Sequence, residues 1–192
     1  MERGNMCRGQ ILMKNENQIW SDIRETVLAG LTANAITGFD VISANQPSKA
    51  TIEQPTIWID RVSARRYGWQ GTDEREDVDN LYLDNTYYEE IMFQITALKK
   101  RNTATDTVLT MTSGDVLHLL TTYFNGSGGI GKLETLDFSC LKVGEVREST
   151  FISNSDLYEK TPSFDITLTH MQTVEAEETP TITGSTITTE GL

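Results

Sequence analysis

The sequence predicts an α+β fold: a mostly antiparallel β-sheet with two main α-helices packed on one face. Two segments carry apolar residues at three- and four-residue spacing, others alternate between apolar and polar residues, and the strands do not alternate regularly with the helices. The 192 residues suffice for one domain. We assign it to residues 15–174, between an irregular N-terminal extension (residues 1–14) and a flexible, threonine-rich tail (residues 175–192).

The first helix is predicted to begin after Asn15, because this N-cap residue and Gln18 form a capping-box pattern. Gly30 and Asn34 mark the fraying end of the helix. Between these signals, apolar residues at helical spacing share one face: Trp20, Ile23, Val27 and Leu31.

The second helix is predicted over residues 113–124. Thr112 is its N-cap, and Asp115 lies in the first turn, where a negative charge stabilises a helix. Asn125 and Gly126 follow as a termination signal. The apolar face consists of Val116, Leu120, Tyr123 and Phe124.

Five segments are predicted as strands: residues 39–44, 55–66, 87–98, 143–153 and 162–173. The third segment has the clearest alternation, with four residues pointing to one side: Ile91, Phe93, Ile95 and Ala97. The fifth alternates in the same way through Phe164, Ile166 and Leu168. The third segment is therefore expected to bury one face on a core and to leave the other exposed or paired with a partner.

Two further segments are predicted as solvated loops. Residues 71–80 (GTDEREDVDN) are acidic and rich in turn-forming residues, but they do not supply the ordered oxygen ligands of a calcium loop. Residues 126–132 (GSGGIGK) match the spacing of a phosphate-binding loop. Leu133, however, replaces the Ser or Thr that holds magnesium, and the preceding element is a predicted helix. We therefore expect no cofactor at either segment.

The residue pattern predicts no catalytic, cofactor-binding or metal-binding residue, and we do not expect an enzyme. A zinc site needs about four ligands, whereas His118, His170, Cys7 and Cys140 show no metal-ligand spacing. For acyl transfer, neither Ser113 nor Cys140 has a base at a spacing that supports it. Both cysteines are expected to be free thiols.

The formal net charge of −12 excludes general binding to nucleic acid, which depends on Lys and Arg. An acidic wall nevertheless suits a conduit through which DNA slides without binding. No apolar stretch approaches the roughly 20 residues of a membrane span, and no secretory leader is recognisable. We therefore expect the chain to be synthesised in the host cytoplasm and to have no membrane partner. The sequence leaves open whether translation starts at Met1 or Met13.

The scarce basic residues favour an interface between subunits. Arg61, Arg65 and Arg66 lie on or next to one predicted strand, where they either discourage unwanted strand pairing or complement an acidic neighbour. Tyr67 and Trp69 follow directly, and aromatic residues with arginine are common interface anchors. We predict that these five residues contribute to a subunit interface.

Five segments, read in order, resemble the neck and tail-terminator (gateway-type) family of tailed bacteriophages. They are residues 41–47 (VISANQP), 67–71 (YGWQG), 90–98 (EIMFQITAL), 113–117 (SGDVL) and 162–169 (PSFDITLT). The resemblance spans about residues 18–169. It implies a compact α+β subunit without catalytic residues that forms a ring, expected to be a hexamer, capping the tail tube and contacting head-completion proteins.

On this basis the chain is expected to be a virion protein at the junction of head and tail, with copies of itself as its first partner. The two predicted loops are candidates for axial contacts or for the channel wall: Asp73, Glu74, Glu76, Asp77, Asp79, Gly128, Gly129 and Lys132. The alternative is an adaptor or tail-completion protein that binds one protein partner without forming a ring.

Overall fold

A seven-stranded mixed sheet, covered by helices on one face, forms the protein. The computed structural model describes residues 14–43, 55–77, 80–99, 107, 110–152, 158–175 and 179–180. The elements in chain order are α1 (Glu16–Ala33), β1 (Asp40–Ser43), β2 (Thr56–Asp77), β3 (Asn80–Leu98), α2 (Ser113–Asn125), α3 (Ser127–Glu134), β4 (Ser139–Val143), β5 (Arg147–Ile152), β6 (Tyr158–Glu175) and β7 (Thr179–Pro180). The predicted α+β class is confirmed.

The sheet has the strand order β1-β2-β3-β6-β4, with β5 also pairing with β6 and β7 pairing with β3. Only the β1–β2 pair is parallel among the described strands; the other pairs are antiparallel. The long strands β2, β3 and β6 form the centre of the sheet, which explains the clean alternation in their sequences.

The structure contains the N-caps that the sequence predicts for the first two helices. Asn15 and Gln18 close the predicted capping box of α1, with the Gln18 backbone N–H donating to Asn15 Oδ1 at 2.9 Å. Thr112 and Asp115 do the same for α2, and hydrogen bonds from the Thr112 backbone and hydroxyl hold the pKa of Asp115 below its usual value. Gly126 ends α2, as the sequence predicted.

One hydrophobic core lies between the helices and the covered face of the sheet. The helices contribute Ile23, Val27, Leu117, Leu120 and Phe124, among others, and the strands contribute the alternating residues of β2, β3 and β6. The strand residues are Ile57, Ile59, Ile91, Phe93, Ile95, Ala97, Phe164, Ile166 and Leu168, all at most 1% exposed. Burying this many large side chains is the main source of stability.

Two predictions within the helices were wrong. Asn34 is the C-cap of α1 as predicted, but Gly30 does not mark a fraying end: it is buried where α1 meets α2, and a Cβ there would lie 2.8 Å from both Leu120 Cδ2 and Tyr123 Cδ1. The glycine-rich segment at residues 126–132 is not a loop, because α3 begins at Ser127 directly after α2. At Gly129 a Cβ would lie 2.4 Å from the Tyr123 carbonyl oxygen, so only glycine permits this close crossing of the two helices.

The strand predictions needed two corrections. Residues 71–77 are not a solvated loop: they extend β2 and pair with residues 80–86 of β3 as a long hairpin. Strong backbone pairing along the hairpin overrides the low strand propensity of Asp and Glu. The predicted strand at residues 143–153 corresponds to β5 (Arg147–Ile152) and contains only the last residue of β4 (Ser139–Val143), a strand that was not predicted. The two strands are separated at Gly144, whose N–H donates to the Asp165 carbonyl at 2.7 Å. Residues 44 and 153 lie outside the described part.

Candidate functional site

The hairpin formed by residues 71–77 and 80–86, hereafter the arm, extends past the helix-covered part of the sheet. Its root is a break in the β2–β3 register between Tyr67 and Gly71, where Gly68 has a φ of 81°. β3 itself is uninterrupted through the arm and stays paired with β6 as far as Asp84. At about 3.3 Å per residue, the arm is roughly 20 Å long.

The face of the sheet opposite the helices, hereafter the open face, carries a row of exposed apolar side chains. Tyr67 of β2 pairs in register with Tyr88 of β3, and Tyr88 pairs with Met171 of β6. The two tyrosine rings are 5.9 Å apart between centroids, and Tyr88 and Met171 are 48% and 59% exposed. A contiguous aromatic and methionine row of this kind is typical of a protein-binding surface.

In two ion pairs on the open face, the arginine is more exposed to solvent than its carboxylate partner. Arg65 makes a two-pronged contact with Glu90, with both Arg–Glu hydrogen bonds at 3.1 Å, next to the apolar row. The Arg65 side chain is 71% exposed, against 21% for Glu90. In the Arg147–Asp165 pair the arginine is again more exposed, 58% against 29%. Lys142 of β4, also on this face through its pairing with Thr167, is exposed as well. The central strands carry as many carboxylates as cations on this face (Asp60, Glu90 and Asp165 against Arg65, Lys142 and Arg147), so the face exposes its cations without a net positive charge.

Two ion pairs of the helix side show the opposite arrangement, whereas Lys14 and Asp22 are covered about equally. Glu16 of α1 is 58% exposed and pairs with Arg61, which is 32% exposed. Glu25 is 57% exposed and pairs with Lys132 of α3, which is 27% exposed. In these two pairs the carboxylate is the partner that is more exposed to solvent.

A chain of buried polar groups lies on the covered face at the root of the arm. The Tyr87 hydroxyl donates to Gln172 Oε1 at 2.6 Å, and Gln172 Nε2 donates to Glu89 Oε2 at 2.7 Å. His170 Nε2 lies 3.0 Å from the same Glu89 oxygen. Each group has its partner, so the core ends here in a satisfied polar network rather than in exposed apolar residues.

The electrostatics of this network favour a neutral histidine. Burial lowers the pKa of His170 below its usual value; the Glu89 carboxylate opposes this effect, and the Lys14 ammonium reinforces it. Phe138 packs against the imidazole with ring centroids 5.3 Å apart, and Lys14 Nζ lies over the same Phe138 ring, 4.4 Å from its centroid. Within the described residues, the hydrogen-bond partners of the His170 ring are Glu89 and Gln172.

The four residues of the predicted interface whose side chains are described lie on both faces of the sheet, and their contribution to a subunit interface stays a prediction. Arg65 and Tyr67 lie on the open face, in register with Glu90 and Tyr88. Arg61 and Arg66 point to the helix side: Arg61 pairs with Glu16, and Arg66 lies 4.1 Å above the Tyr87 ring. The side chain of Trp69 lies outside the described part. Side chains of successive strand residues point to opposite faces, so residues that are adjacent in the sequence lie on different sides of the sheet.

The residues of the two predicted loops lie on regular elements. Asp73, Glu74, Glu76 and Asp77 are strand residues of the arm, and Asp79 lies outside the described residues. In α3, Gly128 and Gly129 pack beside Tyr123, and Lys132 pairs with Glu25. Their contribution to axial contacts or to a channel wall stays a prediction.

Tyr88, Met171 and Glu90 belong to the open face and were missed. The alternation that identified Ile91 and Phe93 as buried places Tyr88 and Glu90 on the opposite side, and the same rule places Met171 opposite Leu168. Alternation within one strand gives the face of each residue, but the row itself forms only where three strands pair.

The described residues contain no group of three or more His, Cys, Asp or Glu side chains placed to hold a metal ion. Cys140 is a free thiol, and burial raises its pKa, which lowers the fraction of reactive thiolate. Cys7 lies outside the described residues. No helix in the described part is long and apolar enough to cross a membrane.

The described residues thus form a sheet scaffold with one helix-covered face, one open face with an exposed apolar row, and a long hairpin. Residues 18–180 match the family model of the E217 gateway protein gp29, and the chain belongs to this phage gateway family. No curated protein matches it. The family makes the chain a structural protein of the phage neck, with other phage structural proteins as partners and the virion as its location. Such a family is non-enzymatic in character.

Proposed function

We propose that the chain is a ring-forming neck or tail-terminator subunit, assembling as a hexamer that joins the tail to the head-completion proteins and lines the DNA channel. The proposal rests first on membership in the gateway family over residues 18–180. The observation that carries it further is the exposed row Tyr67, Tyr88 and Met171 on a sheet face that the described helices leave uncovered. A ring interface would bury this row against a neighbouring copy.

The distribution of charge suits a passage for DNA. Carboxylates of Glu16 and Glu25 face outward from the helix layer, and the whole chain has a formal net charge of −12. A channel wall of this charge repels the phosphate backbone, so DNA passes without specific binding. Phage tail proteins on one side and head-completion or adaptor proteins on the other are the proposed axial partners.

Native mass spectrometry of the full chain across a range of concentrations tests the proposal. The expected result is a discrete hexamer that loses subunits on dilution. The double variant Tyr67→Ala, Tyr88→Ala should raise the concentration needed for assembly by about tenfold or more, because aromatic anchors dominate interface energies. The matched control is Ile130→Ala, which removes an exposed apolar residue from α3 on the helix side.

A monomer or small fixed oligomer at every concentration would contradict spontaneous ring formation. It would favour the alternative, an adaptor whose open face binds a single different protein. Hexamers that are unaffected by the tyrosine substitutions but lost in Ile130→Ala would place the interface on the helix layer instead.

A further inference from the structure

We propose that the exposed apolar row of one copy, formed by Tyr67, Tyr88 and Met171, inserts into a groove between α1 and β1 of the next copy. The inference rests on the proposed ring, whose interface this row supplies, and adds to it the surface that receives the row. The occupant of the groove is therefore a second copy of this chain.

The groove opens between the first half of α1 and strand β1 and has a volume of about 380 Å³. This volume lies in the range of sites that bury organic groups, whereas a single water takes up only about 30 Å³. Three lining residues are apolar and buried or half-buried, and three are polar and exposed: Trp20, Val41 and Ile59 in the first set, Asn17, Ser21 and Arg24 in the second. The groove thus has an apolar floor and a polar rim.

The chemistry of the groove matches a tyrosine side chain. A phenol has an apolar ring and a hydroxyl that both donates and accepts hydrogen bonds, so it fits a site with apolar contacts below and polar groups at the edge. Arg24 adds a cation that is already positioned, because its Nε donates to the Val41 carbonyl at 2.9 Å and links α1 to β1 at the groove. A cation held in this way attracts the face of an aromatic ring.

The size of the row favours a concave partner surface. At 37%, 48% and 59% exposure, Tyr67, Tyr88 and Met171 offer on the order of 300 Å² to a partner. A stable contact buries about 800 Å² on each side. A flat surface covers each ring from one side only, whereas a groove also covers the ring edges and brings its walls into the interface. Residues that dominate binding energies accordingly lie in pockets of the partner.

The positions of the two surfaces exclude a contact within one molecule. α1 lies on the covered face of the sheet, where Trp20 meets Phe93 edge-on at 5.6 Å between ring centroids. The row lies on the open face of the same sheet. A row that fills a groove must therefore come from another copy, and each copy then uses a different surface toward each neighbour. This is a heterologous contact, which closes a ring when it is repeated by rotation.

Two full-length variants, one for each surface, test the contact. The row variant carries Tyr67→Ala and Tyr88→Ala. The groove variant carries Ser21→Trp, because an indole at this exposed position of α1 fills the groove. The control is Thr32→Trp, which places the same bulk at an exposed position about three turns further along the same helix, outside the groove.

The row variant alone and the groove variant alone should each need about tenfold or more protein to assemble, because every contact in such a ring lacks one of its two surfaces. Mixed one to one, just below the concentration at which either assembles alone, they should form a heterodimer and no ring. The intact row of the groove variant enters the intact groove of the row variant, and the two surfaces left at the ends are the altered ones. Native mass spectrometry resolves the two masses, and the control should form hexamers as the unmodified chain does.

Unchanged hexamers of the groove variant would overturn the contact, and so would a mixture of two folded variants without a heterodimer. Both results leave a hexamer of the unmodified chain, and hence the proposed function, in place. An unmodified chain that stays monomeric at every concentration would overturn both proposals. If circular dichroism shows the groove variant to be unfolded, Asn17→Trp fills the groove from another exposed position of α1, and the same outcomes decide.

Discussion

The two faces of the central sheet are made from the same strands, yet they differ in almost every physical property. On β3, Phe93 is fully buried under the helices, whereas Tyr88 of the same strand is nearly half exposed on the open face. In the Glu16–Arg61 pair of the helix side the carboxylate is the more exposed partner, and in the Arg65–Glu90 pair of the open side it is the guanidinium. Because side chains alternate between the two faces along a strand, the same strands supply both the core residues and the residues of the open face.

The difference indicates where stability and assembly reside. Large side chains of the covered face remove most apolar area from water, and their loss leaves cavities. The open face is exposed in the single chain, so its side chains add little to folding. Substitutions on opposite sides of one strand should therefore separate the two properties.

The largest expected effect comes from Phe93→Ala. This ring is fully buried and meets Trp20 of α1 edge-on at 5.6 Å between centroids. Its removal should lower the free energy of unfolding by about 3–5 kcal/mol. Tyr88→Ala, on the same strand but on the open face, should cost less than about 1 kcal/mol. Urea denaturation of both variants, at protein concentrations below those needed for assembly, measures the free energy of unfolding. Equal losses of this free energy in the two variants would contradict the difference between the faces.

A smaller effect is expected inside the helix layer, from two glycines of α3. Gly129→Ala places a methyl group against the Tyr123 carbonyl and the Phe124 Cα, so it should destabilise by about 1–3 kcal/mol. Gly131 has no atom within 4 Å of an added Cβ. Gly131→Ala should therefore stabilise the helix by up to about 1 kcal/mol. Thermal unfolding distinguishes the two; a destabilised Gly131→Ala variant would show that helix packing does not explain the glycines.

Much of this architecture could be predicted from the sequence, because the signals were local. The capping boxes at Asn15 and Thr112 fix where two helices begin, and alternation fixes which side of Ile91 and Phe164 is buried. These patterns depend on backbone hydrogen bonds and side-chain direction, which neighbouring residues decide. The family resemblance, assigned from short ordered segments, is confirmed by the match over residues 18–180.

The errors occurred where distant contacts decide the structure. Residues 71–77 are polar enough for a loop, and only pairing with residues 80–86 makes them a strand. The glycines of α3 suggest flexibility in sequence, whereas in the fold Gly129 permits a close helix crossing. The row Tyr67, Tyr88 and Met171 joins three strands, so its members are up to about a hundred positions apart and share no local pattern.

The smallest expected effect concerns the boundary between the two faces, where His170 is covered and its neighbour Met171 is exposed. Burial lowers the pKa of His170 in the folded chain, whereas unfolding restores the ordinary value near 6.5. Below about pH 6.5 the unfolded chain therefore binds more protons than the folded chain, and stability falls as the pH falls through this range. The Glu89 carboxylate and the Lys14 ammonium face the imidazole with opposite effects on this shift. Thermal unfolding of the monomer at pH 7.5 and 5.5, above the carboxylate range, should show a lower melting temperature at pH 5.5. His170→Gln should reduce that difference, and the control His118→Gln, at an exposed position of α2, should retain it. An unchanged pH dependence in His170→Gln would mean that the covered face does not hold a neutral histidine.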